Sequence, residues 1–404
     1  MQANDNTVTY TTDILQEEVR FYRTLYTSQT NNIEAINTYV TDTIVDYKLT
    51  NNETNSCEGL FTVNECKYAV FSIQNNKCPG MYGLSPEFYK HFWNKIGQMV
   101  TDSLNSGSTN SNLSPTQKLG VISLIFKKGD PTNIENWKPI TILNTDYKIA
   151  AKVLANRLKK VIHKLVSTDQ QGYIKNRYTG FDIREIQDII DYFGHTKKYG
   201  ALIFLDFRKA FDTVGWPFPI SVLRHSGFKN SFINWIETLC NNCKTCIINN
   251  GWRSEPFKLS RGIRQGCPIS SLLFILVAEI MACRIRYSEY IIGIQVKTND
   301  GNKNIHISQL ADDTILFLKS PTEIKPALKI IELFGKYSGI LLNKLKTEGL
   351  WLGNLKTSNI QIGGINWYDK PVKALGGFFG HDIEKCNDLI DQCKYIIFNW
   401  KKGN

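Results

Sequence analysis

The chain has 404 residues, and several common features are missing from it. No run of eighteen or more apolar residues occurs, so the sequence offers no candidate membrane span. Residues 1–12 are polar and hold no apolar block of the signal-peptide kind. Internal repeats and low-complexity tracts are lacking too, which argues against a repeat architecture. The ten cysteines are scattered and read as reduced thiols. Cys240, Cys243 and Cys246 do follow a C-x2-C-x2-C spacing, like part of an iron–sulfur ligand set. A fourth ligand at matching spacing is absent. The same segment reads as a strand, a turn at Asn250-Gly251 and a returning strand, so buried or half-buried thiols are the expectation.

Apolar residues make up 42% and charged residues 21%, an ordinary globular balance with ample chain for a core. The length fits one large multi-lobed domain or two to three smaller ones. The net charge of +11 is by itself weak evidence for a polyanionic partner. Its distribution says more. Residues 116–164 carry ten Lys or Arg against Asp130, Glu135 and Asp146, which fits a phosphate-contacting lobe.

Residues 1–76 read as a helical extension or linker, with an accessory helix over 15–26 (Leu15, Val19, Tyr22, Leu25). Ser85-Pro86-Glu87 is a helix start: N-cap, N1 proline and an acid in the first turn. Phe88, Phe92, Trp93, Ile96 and Val100 would form its apolar face, and 105–115 a loop. Residues 121–126 are a buried strand candidate. Asp146 is expected to cap a long helix to about Leu165. ALIFL (201–205) is a strand buried on both faces. Residues 270–285 form an apolar helix, and 305–318 a hairpin with its turn at Ala311-Asp312-Asp313.

Three acids stand out chemically. Asp206 ends the apolar strand 201–205, where a carboxylate is costly to bury unless something such as a cation compensates it. Taken alone it is an ordinary strand-end turn or cap. Asp312-Asp313 are adjacent like charges at a hairpin tip, and alone they read as a solvated turn. A hairpin beside the Asp206 strand would bring all three together. Carboxylates plus substrate phosphates are what magnesium prefers, and two such ions can activate a hydroxyl and stabilise a leaving oxygen. Between them lies RGIRQGCPISSLLF (261–274), with Gly262 and Gly266 permitting close backbone approach and Pro268 fixing a turn.

In their order these segments resemble the reverse transcriptase family, and within it the non-LTR (LINE-type) retrotransposon enzymes. LDFRKAFD (205–212) resembles the first catalytic motif. RGIRQGCPISSLLF resembles the glycine-proline motif, and LADD (310–313) the aromatic-led ADD hairpin. GILLNKLKTEGL (339–350) resembles the lysine-bearing motif and KALGGFFG (373–380) the primer grip. Upstream, residues 126–158 and DQQGYIKNR (169–177) are similar to the fingers of LINE-type enzymes. The resemblance spans residues 77–380.

It implies an α/β (α+β) right-hand polymerase fold: an antiparallel palm sheet of three or four strands, basic fingers, and a partial thumb beginning at 381–404. It implies an RNA-directed DNA polymerase acting on an RNA template, a DNA primer and deoxynucleoside triphosphates. Two Mg2+ ions, replaceable by Mn2+, would be held by Asp206, Asp312, Asp313 and the Phe207 backbone. Lys346 would sit near the leaving pyrophosphate. Lys127, Lys128, Lys138, Phe211, Gln265 and Gly266 would meet the nucleotide, Phe211 by excluding a 2′-hydroxyl. Arg157, Arg177, Arg261, Leu310, Leu375 and Gly376 would meet primer or template. The family favours arginine at 138, an aromatic at 310, proline-aspartate at 81–82 and proline at 271. This chain has Lys138, Leu310, Met81-Tyr82 and Ser271 instead. Lysine gives a point charge where arginine gives a fork, so grip at 138 would be looser. The resemblance also implies action inside the cell, in nucleus or cytoplasm, and no protein partner can be inferred. Two rivals remain open: an RNA-templated RNA polymerase, against which Phe211 argues, and an inactive nucleic-acid-binding remnant of a truncated element.

Overall fold

The computed structural model describes residues 2–3, 6–7, 9–29, 32–196, 198–298, 301–356, 358–368, 371–375 and 377–380. The expected thumb start (381–404) and Gly376 lie outside these residues. The fold is mixed α/β and divides into two compact units. The first comprises the described residues up to Ser167, with Lys209–Ile280 and Phe334–Leu341; the second comprises Thr168–Arg208, Met281–Leu333 and the described residues from Leu342.

The first unit is built on a sheet in the order Trp137–Leu143, Leu119–Phe126, Lys244–Asn249, Trp252–Arg253. Leu119–Phe126 pairs antiparallel with Trp137–Leu143 and parallel with Lys244–Asn249. The turn at Asn250-Gly251 joins the last two strands, as its sequence predicts. The helix Thr11–Leu25 lies on this sheet. Its Tyr22, with Tyr26 just beyond it, is buried against Ile122, Ile247 and Phe257. The helix read as accessory thus contributes two of the unit's core rings.

Two local expectations need correction. The helix Pro86–Thr109 starts on Ser85 as predicted, but continues through the first part of the expected loop. It buries Tyr89, Trp93, Gly97, Thr101 and Leu104, whereas Phe88 and Phe92 are 36% and 38% exposed and pack on each other. Gly97 leaves room for the Trp93 indole, whose ring a Cβ there would meet at 2.7 Å, and Thr101 hydrogen-bonds Cys66 of the helix Val63–Phe71, so this side and not the two phenylalanines faces the core. The second correction concerns Asp146. It sits inside the first turn of Thr145–Lys159, with Asn144 at the N-cap, and a separate short helix follows at Ile162–Leu165. Asn144 uses its side chain elsewhere, donating to the Thr116 carbonyl and accepting from the Tyr82 N–H.

The second unit has a five-stranded sheet in the order Ile307–Leu310, Asp313–Leu318, Tyr199–Leu205, Glu348–Gly353, Asn366–Tyr368. The first four strands are antiparallel and the last is parallel to its neighbour. The central strand Tyr199–Leu205 is buried from Gly200 onward. Alternate residues Leu202 and Phe204, with Ile315, Phe317, Leu350 and Leu352, meet the helix Thr179–Gly194 through Ile186, Ile189, Ile190 and Phe193. That i, i+3, i+4, i+7 spacing is one helical stripe on one sheet face. No helix among the described residues is long and apolar enough to cross a membrane.

Candidate active site

The acidic centre is assembled by the second unit's sheet. The ladder between Asp313–Leu318 and Tyr199–Leu205 ends on the pair Thr314 and Leu205, so Asp313 and Asp206 occupy the next positions of the two strands. Leu310 pairs with Asp313, which leaves Ala311 and Asp312 as a two-residue turn. The turn is therefore one residue tighter than the sequence suggests, and Asp313 already belongs to a strand. Asp206 is half-buried, and Asp312 and Asp313 are exposed.

Neighbours fix both strand ends. The Asn343 Nδ2 donates to Asp206 Oδ2 at 2.9 Å, and the Asn343 backbone N–H donates to the Asp206 carbonyl at 2.8 Å. Thr347 Oγ1 accepts from the Asp206 N–H and donates onward to the Asn343 carbonyl. Phe207 forms an antiparallel bridge with Leu342. Lys346 is exposed in this same turn, its N–H donating to the Asn343 carbonyl. The other strand end is held by Gln170, which engages the Ala311 peptide. Tyr173 stands close by; burial first, then the Asp312 charge, push its phenol pKa up. Neither Asn343 nor Gln170 was singled out from sequence, because amides signal nothing until the fold supplies their partners.

Other candidates from the resemblance fall in the first unit. Lys127 and Lys138 flank the open end of the antiparallel pair Leu119–Phe126 and Trp137–Leu143, and Lys128 follows; all three are exposed. Phe211 is half-buried and stacks on Phe274 with ring centroids 4.2 Å apart. Gln265 donates through Nε2 to the buried Asp212, and its carbonyl accepts from the Thr141 N–H. Gly266 is exposed beside it. The thiols of Cys243 and Cys246 are buried, that of Cys240 is half-buried, and burial pushes all three pKa values up.

Several primer and template candidates are placed otherwise than expected. Arg157 is 4% exposed and spends its guanidinium on Glu65 and on the carbonyls of Cys57, Gly59 and Leu60, which occupies its donor fork. Arg261 is buried, with Nε donating to the Leu25 carbonyl. Both are internal braces. Leu375 is buried in the second unit's core. Leu310 packs partly against that same core, and Arg177 donates to the Gln170 carbonyl.

The sequence profile of the reverse transcriptase (RNA-dependent DNA polymerase) family matches residues 125–377. The chain belongs to that family. It is 30% identical over 318 residues to the uncharacterized 149 kDa protein of transposon TX1 from Xenopus laevis, covering 78% of this chain and 24% of that relative. It is 27% identical over 229 residues to a retrovirus-related Pol polyprotein of a type-1 retrotransposable element R2 from Popillia japonica, covering 56% and 31%. Against the RNA-directed DNA polymerase of the mobile element jockey from Drosophila melanogaster it is 21% identical over 262 residues, covering 64% and 27%. These relatives identify the chain as a reverse transcriptase domain of the non-LTR retrotransposon kind. It spans about a quarter to a third of their length.

Proposed function

We propose that this chain is an RNA-directed DNA polymerase that extends a primer 3′ end with deoxynucleotides, as part of a non-LTR retrotransposon protein. The observation that carries this is the juxtaposition of Asp206 with Asp313 at adjoining strand ends, with Asp312 in the connecting turn. In this reading the five-stranded sheet is the palm, and the basic hairpin bearing Lys127, Lys128 and Lys138 belongs to the fingers.

Divalent cations fit the acidic centre by donor chemistry: carboxylate oxygens at an accessible strand end are what Mg2+ takes, together with substrate phosphates. Asp206, Asp312 and Asp313 would hold them, with the Phe207 backbone adjacent. Bound there, such ions lower the cost of a 3′-alkoxide and of the leaving pyrophosphate. The protein's share is positioning. Asn343 and Thr347 keep Asp206 in place, and Gln170 keeps the turn of Asp312 in place. The primer 3′-hydroxyl gives its proton to solvent water, its oxygen attacks the α-phosphorus, the bond to the pyrophosphate oxygen breaks, and Lys346 neutralises the departing charge. Lys127, Lys128 and Lys138 supply cations to the triphosphate, and the Phe211 ring, braced by Phe274, disfavours a ribose 2′-hydroxyl.

The test is extension of oligo(dT) on poly(rA) with Mg2+ and dTTP, or with UTP in its place. Incorporation of dTTP far above UTP supports the reading. Preferential use of UTP would replace it with an RNA polymerase.

A further inference from the structure

The first unit contains a cavity between the helices Pro217–His225, Asn230–Cys240 and the start of Ser270–Arg286, with Gly262, Ile263, Arg264 and Cys267 along another side. It holds about 510 Å3 of empty space, counting the part open to solvent. Trp216, Ile220, Ile236, Leu239 and Leu273 give it apolar walls. The Trp216 indole is fixed, its Nε1 donating to the Gly262 carbonyl at 2.9 Å. Trp216, Ile220, Cys240 and Cys267 are only half-buried, so solvent reaches the cavity past them.

One charge borders these walls. Arg264 is 7% exposed. Its guanidinium donates to the Lys118 carbonyl at 3.2 Å and to the Leu239 carbonyl at 3.4 Å, and it lies over the Tyr147 ring, 4.4 Å from the centroid. These bonds leave donors of the guanidinium unused. Burial pushes the Tyr147 phenol and the Cys240 and Cys243 thiols up, so at neutral pH none of them supplies a negative charge. Lys118 adds a second cation that is felt at Cys243, and its ammonium rests on the Asn112 amide oxygen. No carboxylate pairs with Arg264 among the described residues. Arg157, equally buried, has Glu65 in its fork. A buried charge is costly unless it is paired, and a planar guanidinium is best paired by a carboxylate.

We propose that this cavity is a binding site for a small carboxylic acid: its carboxylate pairs with the Arg264 guanidinium, and its short apolar or aromatic body lies against Trp216, Ile220 and Leu273. Apolar walls with one well-placed polar anchor are the usual make-up of a small-molecule site. An inorganic anion would satisfy the cation and leave the walls wet, whereas an organic acid matches both. The site lies wholly within the first unit and draws on no step of the polymerase reaction, so it stands or falls separately from the reading above.

The test is calorimetric titration of the full chain with benzoate, and with benzyl alcohol, which has the same ring and no charge. Benzoate should bind at least about tenfold more tightly, the worth of a hydrogen bond to a charged group. Arg264→Met keeps a side chain of similar bulk and removes the charge; it should weaken benzoate about tenfold or more and leave benzyl alcohol unchanged. Ile220→Trp narrows the half-buried rim, leaves Arg264 in place and should weaken both probes; it decides the matter if Arg264→Met does not fold. Equal affinity for the two probes, benzoate binding that the folded variants leave unchanged, or no benzoate binding by folded wild type at about 10 mM overturns the proposal.

Discussion

Gln170 holds both sides of the Ala311 peptide: its Oε1 accepts from the Ala311 N–H at 2.8 Å, and its Nε2 donates to the Ala311 carbonyl at 3.3 Å. The same Oε1 accepts from the Gly172 N–H, and Gln170 is 1% exposed. Ala311 has a φ of +58°, a left-handed conformation that an alanine adopts only under constraint. Gln170→Ala takes the side-chain partner from three backbone groups, the Ala311 N–H and carbonyl and the Gly172 N–H, and should cost about 1–3 kcal/mol in urea unfolding. Extension should fall at least about tenfold, because the freed turn carries Asp312. A variant with normal extension would show that the turn needs no brace.

Asn343 plays the matching part for Asp206. Asn343→Ala removes the side-chain donor and leaves the backbone bond in place, so stability should change by only about 1 kcal/mol. Residues that orient metal-binding carboxylates typically matter about 10–100-fold in activity. The expected result is a loss of that size, partly recovered at high Mg2+ concentration. Loss of activity that no Mg2+ concentration moves would speak against this role.

Asp182 gives a pH prediction. Burial, then the charges of Glu185 and Asp169, raise its pKa to about 7. In the unfolded chain it titrates near 3.9. The folded state therefore binds this proton more tightly, and Asp182 costs stability progressively as pH rises from about 4 through about 7. Asp182→Asn keeps the shape and removes that dependence. Its gain in melting temperature over wild type should be larger at pH 8 than at pH 5, measured by thermal unfolding. A gain that is equal at both values would contradict the shift.

Arg157 separates structure from substrate contact. Arg157→Ala takes the donors from three carbonyls and the cation from Glu65, which keeps its two Thr62 hydrogen bonds, and should destabilise the fold by about 2 kcal/mol or more. Arg157→Lys cannot reproduce the fork and should recover only part of that. Neither should weaken duplex binding by the protein that remains folded, measured by fluorescence anisotropy at a temperature well below melting.

Much of the acidic centre was readable from sequence because it lies in continuous segments. ALIFL followed by Asp206 is a buried strand with a polar end, and Asp312-Asp313 between two apolar runs is a hairpin tip. What escaped reading depends on distant partners. Arg157 sits in a basic run and looks like a phosphate contact until Glu65, 92 residues earlier, occupies its fork. Gln170 and Asn343 carry no local signal; only the fold gives them Ala311 and Asp206. The buried face of Pro86–Thr109 differs from the apolar pattern because bulk at Phe88 and Phe92 outweighs Gly97 in any such pattern, whereas in the fold Gly97 is what makes room for the buried Trp93 ring.

The most direct test of the central claim is primer extension on poly(rA)/oligo(dT) with Mg2+ and dTTP, comparing wild type with Asp206→Asn and Asp312→Asn at matched folding and duplex binding. The account predicts extension by the wild type and none by either variant. Extension by either variant at the wild-type rate would contradict the assignment of these acids as the polymerase centre.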